Sequence, residues 1–234
     1  MSRNAAWWDE WWENRLTRRV MVTPGMPGPC SGFWPGLSTV MNNDNMLVCL
    51  MNEYGLRTVL CAGNGALQEP RYLARAGFDV TALDISPVVT RFAEAYRDDK
   101  EPYGMCHPRL HRPGGRARFV AGDLLDASIC RGPFDVVIER KTVQTVAERD
   151  RPAVLSALSE RLARVGIFVS MCFDDPFPDE LGWSQHPSGM FHASEAWFRD
   201  QGWTIWENEP NLPDPTLAGR VAWLIRAGSG KCRR

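Results

Sequence analysis

The chain has 234 residues, 44% hydrophobic and 24% charged, an ordinary make-up for one globular domain with a sizeable core. Its 27 Lys and Arg nearly cancel its 28 Asp and Glu, which argues against a global basic field for nucleic acid. The longest apolar stretch, Val165 to Phe173, falls well short of the ~20 residues of a membrane span. Seven cysteines, an odd number without a Cys-x-x-Cys pair, argue against a disulfide framework or a zinc ribbon and for a reducing, cytoplasmic setting. The polar, Trp-rich start does not read as a secretory signal.

Asn4 to Arg19 is predicted as a helix, with Trp7, Trp8, Trp11, Trp12 and Leu16 on one broad face. Thr23 to Gly36 is rich in Pro and Gly and reads as a loop, and Ser38 to Tyr54 as a second helix between a Ser cap and Gly55. The pattern then alternates. Arg57–Cys61 is a strand, Leu67–Ala76 a helix closed by Gly77, Asp79–Leu83 a strand, and Pro87–Arg97 a helix with Pro in its first turn. After a polar loop from Asp98 to Gly115 come strands Ala117–Ala121 and Phe134–Glu139, with only a short helix or turn between them. Helix Arg151–Leu162, strand Gly166–Phe173, helix Glu195–Gln201 and strands Trp203–Glu207 and Val221–Arg226 complete the order. The expectation is an α/β fold: a doubly wound, mostly parallel, Rossmann-like sheet of seven strands with a closing antiparallel hairpin. Residues 1–54 read as a helical extension or lid, and 55–234 as the binding domain.

The most informative stretch is Val59-Leu60-Cys61-Ala62-Gly63-Asn64-Gly65, a strand running into a Gly-rich turn before a helix. Glycines there suit a turn with positive φ and a ligand lying close to the backbone. The free N–H groups of the following helix suit a carboxylate or phosphate. Asp84 ends the next strand, where an acid accepts hydrogen bonds from the ribose hydroxyls of an adenosine. A dinucleotide fingerprint wants a third Gly or Ala over the pyrophosphate, and Gln68 stands there.

The run Val59 to Ser86, VLCAGNGALQEPRYLARAGFDVTALDIS, resembles the first two motifs of class I S-adenosylmethionine-dependent methyltransferases. Gly122-Asp123-Leu124-Leu125 resembles the family's acidic turn after the third strand, and Phe134-Asp135-Val136-Val137-Ile138-Glu139 its fourth strand. The resemblance implies S-adenosylmethionine as cofactor. Gly63 and Gly65 would pass under its methionine part, Asp84 would hold the ribose, and Ile85 would pack on the adenine. Asp123 would bond the adenine amino group, with Leu124 along its face. Glu139 and Arg140 would face the transferred methyl. Cys61 stands where the family often has an acid, so it brings no charge-assisted contact to the cofactor. The Trp-rich first helix, Glu139-Arg140, and Phe173-Asp174-Asp175-Pro176 also resemble, in part, the thiopurine methyltransferase group, which favours a small, soft or anionic acceptor.

On the acceptor side, Glu139, Asp174, Asp175, His186 and His192 are candidate bases, needed only if the nucleophile must lose a proton. The loop Cys106 to Arg112, with Arg116 and Arg118, is locally basic and reads as a solvated loop, an anion site or a nucleic-acid contact. No metal is expected. The leading expectation is methyl transfer to a small molecule, without membrane. A non-catalytic module of the same fold and an RNA or protein methyltransferase are the alternatives.

Overall fold

The computed structural model describes residues 4–17, 46–66, 69–95, 112–140, 142–173, 197, 199–210 and 219–226. Helices α1 (Ala5–Thr17) and α2 (Met46–Glu53) precede strand β1 (Thr58–Ala62). Then come α3 (Glu69–Arg75), β2 (Asp79–Asp84), α4 (Pro87–Ala95), β3 (Arg116–Ala121) and β4 (Phe134–Arg140). A short helix α5 (Thr142–Thr145) and a single 3-10 turn (Glu148–Asp150) lead into α6 (Arg151–Glu160) and β5 (Leu162–Phe173). Strands β6 (Trp203–Pro210) and β7 (Gly219–Arg226) follow.

The sheet order is β3-β2-β1-β4-β5-β7-β6. Strands β1 to β5 run parallel, whereas β7 pairs antiparallel with both β5 and β6. This is the expected Rossmann-like core. The order reverses between β1 and β4, so the crevice at the carboxyl ends of those strands is where such a sheet takes a ligand.

The period-2 alternation of the strands sorts side chains onto two cores. Val59, Cys61, Val136, Ile138 and Val169 face a layer that includes Leu47, Met51, Tyr72 and Leu73 from α2 and α3. Leu60, Ala62, Val137 and Phe168 face Val154, Leu155 and Leu158 of α6, with Trp203. A third, smaller cluster joins Trp12 of α1 to Ala66 and Val89.

Helix boundaries follow their caps. The Asn4 side chain accepts the Trp7 N–H at 3.0 Å and starts α1. Ser86 starts α4: its hydroxyl accepts the Val89 N–H at 3.3 Å, and Pro87 occupies the first helical position, where its missing N–H costs nothing. The expected second helix begins at Met46 in the described residues; Ser38 to Asn45 and the Pro/Gly loop before them lie outside these.

Of the two forms expected between β3 and β4, a short helix or a turn, the Gly122–Pro133 segment takes successive turns. What holds it is Arg161, 4% exposed, whose guanidinium donates to the carbonyls of Asp126, Ile129 and Cys130 and, across to α6, of Ala157. The fifth strand begins four residues earlier than expected, at Leu162, because it pairs with Phe134 before an irregularity between Phe134 and Val136.

Candidate functional site

The glycine turn, Asp84, Asp123 and Glu139 all lie at the carboxyl ends of β1 to β4, on the crevice side of the sheet. Gly63 and Gly65 have φ of 62° and 54°, conformations that disfavour an L side chain. The N–H groups of Gly63 and Asn64 donate to the Leu83 carbonyl at 2.8 and 3.2 Å, which closes the turn onto β2.

Asp84 completes that closure. Its two carboxylate oxygens accept the Gly65 N–H at 2.8 Å and the Ser86 N–H at 2.9 Å. Desolvation by burial pushes the Asp84 carboxyl up to about 6; the two N–H bonds pull it down and Asp9 pushes it up again. A carboxylate has about four lone-pair sites, so two remain for a diol.

Asp9, from the Trp-rich helix, is the residue that sequence reasoning missed. It accepts the Ser86 hydroxyl and, at 3.3 Å, the Val88 N–H, at the start of α4. The acid is therefore favourably placed at a helix N-terminus. Three residues on, Trp12 is 8% exposed and packs on Ala66 and Val89. A side chain at Gly65 would meet the Trp12 ring at 2.9 Å. Hence α1 is docked at the mouth of the crevice, with Trp8 and Trp11 beside it and Trp7 more exposed. The signal was the Asp9 spacing within the Trp run, which periodicity alone did not single out.

Glu139 ends up enclosed. It is 1% exposed and lies in register with Ala62 and Ser170. The Ser170 hydroxyl donates to one carboxylate oxygen, and the N–H groups of Thr142 and Val143 donate to the other at 3.1 and 3.4 Å. Burial raises its carboxyl to about 7 against the pull of these three donors. Glu139 thus caps α5 and fixes Thr142, whose hydroxyl bonds the Ala62 carbonyl at 2.9 Å.

Other expected residues separate. The Cys61 side chain, 2% exposed, lies in the α2–α3 core instead of the crevice, and burial, then the charge of Glu69, pushes its thiol well up. Asp123 is exposed at the turn after β3 and accepts the Leu125 N–H at 2.8 Å through one oxygen. Leu124 packs half-buried against the α6-side core, and Ile85 is half-buried between Asp84 and Ser86. Asp135, inside the fourth-strand motif, holds the opposite end of the sheet, accepting the N–H groups of Arg57 and Thr58 at 2.7 and 2.9 Å. The Arg140 side chain lies outside the described residues, as do Asp174, Asp175, His186, His192 and Cys106 to His111. Among the described residues there is no group of three or more His, Cys, Asp or Glu able to hold a metal, and no helix long and apolar enough to cross a membrane.

The residues present fit an adenosine-bearing cofactor. Asp84 keeps acceptor capacity at the crevice, flanked by Ile85, with the glycine turn on one side and exposed Asp123 on the other.

A parallel α/β sheet with a glycine turn after β1 and an acid ending β2 at the switch point defines a nucleoside-cofactor fold of the methyltransferase type. Residues 60–170 match the model of a family described as a methyltransferase domain, so the chain carries a methyltransferase domain, of the type that uses S-adenosylmethionine. The fold is similar to magnesium protoporphyrin IX methyltransferase from Synechocystis PCC 6803 with bound S-adenosylmethionine (16% identity, 95% of each chain covered, TM-score 0.63). It is also similar to a S-adenosylmethionine-dependent methyltransferase from Methanosarcina mazei (17% identity, 76% of this chain and 96% of that one, TM-score 0.59). A third is the Burkholderia thailandensis 1,6-didemethyltoxoflavin-N1-methyltransferase with bound 1,6-didemethyltoxoflavin and S-adenosylhomocysteine (17% identity, 93% and 89%, TM-score 0.53). No curated protein matches the sequence.

Proposed function

We propose that this chain transfers the methyl group of S-adenosylmethionine to a small molecule by in-line displacement. The observation that carries the reading is the joint between Gly65 and Asp84 at the reversal of the sheet. When bound, the cofactor supplies a methyl on a sulfonium, so the protein's work is alignment and exclusion of water. Asp84 would hold the ribose, Ile85 and Leu124 the adenine faces, Asp123 the adenine amino group, and the Gly63–Gly65 turn the methionine end. Cys61 would support the turn from the core.

Glu139 is read here as a positioning residue. Its enclosure favours fixing α5, and through Thr142 the floor of the turn, over taking a proton from an acceptor. Arg140 and His186 remain the proposed acceptor-side residues. The division into a 1–54 extension and a 55–234 catalytic domain is supported by Trp12 and Asp9, which bring α1 to the crevice mouth. The outer β6–β7 pair is taken as the hairpin closing a seven-stranded sheet. A cytoplasmic setting agrees with Cys61 and Cys130, which stand as thiols outside any disulfide among the described residues.

A small acceptor is favoured by the balanced charge and by two of the similar folds, which are named for a porphyrin and for a toxoflavin precursor. The test is methyl transfer from labelled S-adenosylmethionine to panels of thiols, carboxylates and heteroaromatic amines. Turnover of any small acceptor supports the reading. Label passing only into added RNA or protein contradicts it.

A further inference from the structure

The end of the sheet opposite the crevice carries a second concavity. The second half of α3, the turn before β3 and the first residues of β3 enclose an open cleft of about 540 Å³. Among the described residues Arg71, Arg75, Arg112 and Arg116 line it, together with Ala, Pro and Gly and no acidic residue.

The cleft is built on fixed backbone. The Arg112 N–H donates to the Arg75 carbonyl at 2.9 Å, and the Arg116 N–H to the Phe78 carbonyl at 3.1 Å. Gly115 lies so close to the Ala74 carbonyl that a side chain there would overlap it. The turn therefore cannot move away from α3 without breaking these contacts. Arg71 and Arg75 are four apart and share a face of the helix.

The guanidinium groups are also oriented. Arg71 donates to the carbonyls of Ala93 and Glu94 at 2.9 and 2.6 Å, and lies 4.9 Å over the Phe119 ring. Arg112 donates to the Asn52 side chain at 2.8 Å. Arg116 pairs with Asp79 at 2.9 Å, though its side chain is 82% exposed. A guanidinium has five N–H donors, and the bonds of Arg112 and Arg116 just named occupy one on each. Four arginine side chains along one concavity give it a positive local potential that attracts an anion.

We propose that this cleft binds a phosphate-bearing small molecule, at a site separate from the cofactor crevice. Arginine forks match phosphate oxygens two at a time, and several oxygens on linked phosphates would engage several of these side chains. The cleft's size is that of a small-ligand pocket. The cleft is bounded by α3 and the turn before β3, a compact basin whose size suits a compact anion, and the net charge of −1 gives the chain no global basic field for a nucleic-acid strand.

The probe is inorganic tripolyphosphate, titrated calorimetrically into the full chain at low ionic strength. Saturable binding is expected, and Arg75→Gln with Arg116→Gln should weaken it by about tenfold or more. Asp79→Asn, which removes the carboxylate paired with Arg116, should tighten it; a purely structural role for the arginines would not produce that gain. The affinity for S-adenosylhomocysteine should stay the same in each variant, which also shows that each is folded. The proposal is overturned if the wild-type chain binds S-adenosylhomocysteine but no tripolyphosphate, or if the double variant binds tripolyphosphate as the wild type does. It is likewise overturned if a single-stranded RNA binds the cleft more tightly than tripolyphosphate.

Discussion

Thr142 donates its hydroxyl to the Ala62 carbonyl at 2.9 Å and fills the space that a side chain at Gly63 would need. Gly63 is thus required twice, for its positive φ and for the hydroxyl beside it. Gly63→Ala should cost about 2–4 kcal/mol of stability, read from urea unfolding. Adding Thr142→Ala removes the colliding hydroxyl but keeps the Cβ 2.9 Å away, so it should recover only part of that loss and leave at least about 1–2 kcal/mol of backbone strain. A single variant as stable as the wild type would contradict this packing.

Glu139 predicts a pH signature. Its carboxyl is raised to about 7 in the fold, so the folded chain holds a proton that the unfolded chain has released. Stability from this group is complete below the ordinary carboxylate range and is lost as pH rises through about 7. Asp84, raised to about 6, slopes the same way over a lower window. Glu139→Gln keeps the shape and an acceptor for the Thr142 and Val143 N–H groups. It should flatten the stability profile between pH 5 and 8 and, above pH 7, gain up to about 3 kcal/mol. Profiles that stay parallel would show that Glu139 does not titrate in this range.

Arg161 carries the third prediction. Its four bonds to carbonyls hold the turns between β3 and β4 against α6. Arg161→Met would leave those carbonyls without their donor and cost about 3 kcal/mol. Amide exchange should quicken first between Gly122 and Pro133, close to Asp123 and Leu124. Uniform quickening across the sheet would instead assign Arg161 a global role.

The alternation of strands and helices, with its Ser86-Pro87 and Gly77 punctuation, made the parallel core legible from sequence, because those signals are local. Gly63, Gly65 and Asp84 were legible for the same reason: the turn and its acid are neighbours on adjacent strands. The enclosure of Glu139 was not, since it depends on Ser170 from another strand and on a four-residue helix too short to show periodicity. Nor was the place of Cys61, because a buried strand is apolar on both faces and its pattern does not say which face meets the ligand. Arg161 resembled an ordinary basic residue after a helix; its carbonyl partners are up to 35 residues away.

The central claim is that the glycine turn and Asp84 form the cofactor site, and titration with S-adenosylhomocysteine tests it most directly. The wild-type chain should bind one equivalent, and Asp84→Asn, which removes the negative charge while keeping the side-chain shape, should weaken binding by about tenfold or more. Failure of the folded wild-type chain to bind at millimolar ligand, or equal affinity in Asp84→Asn, would contradict the account.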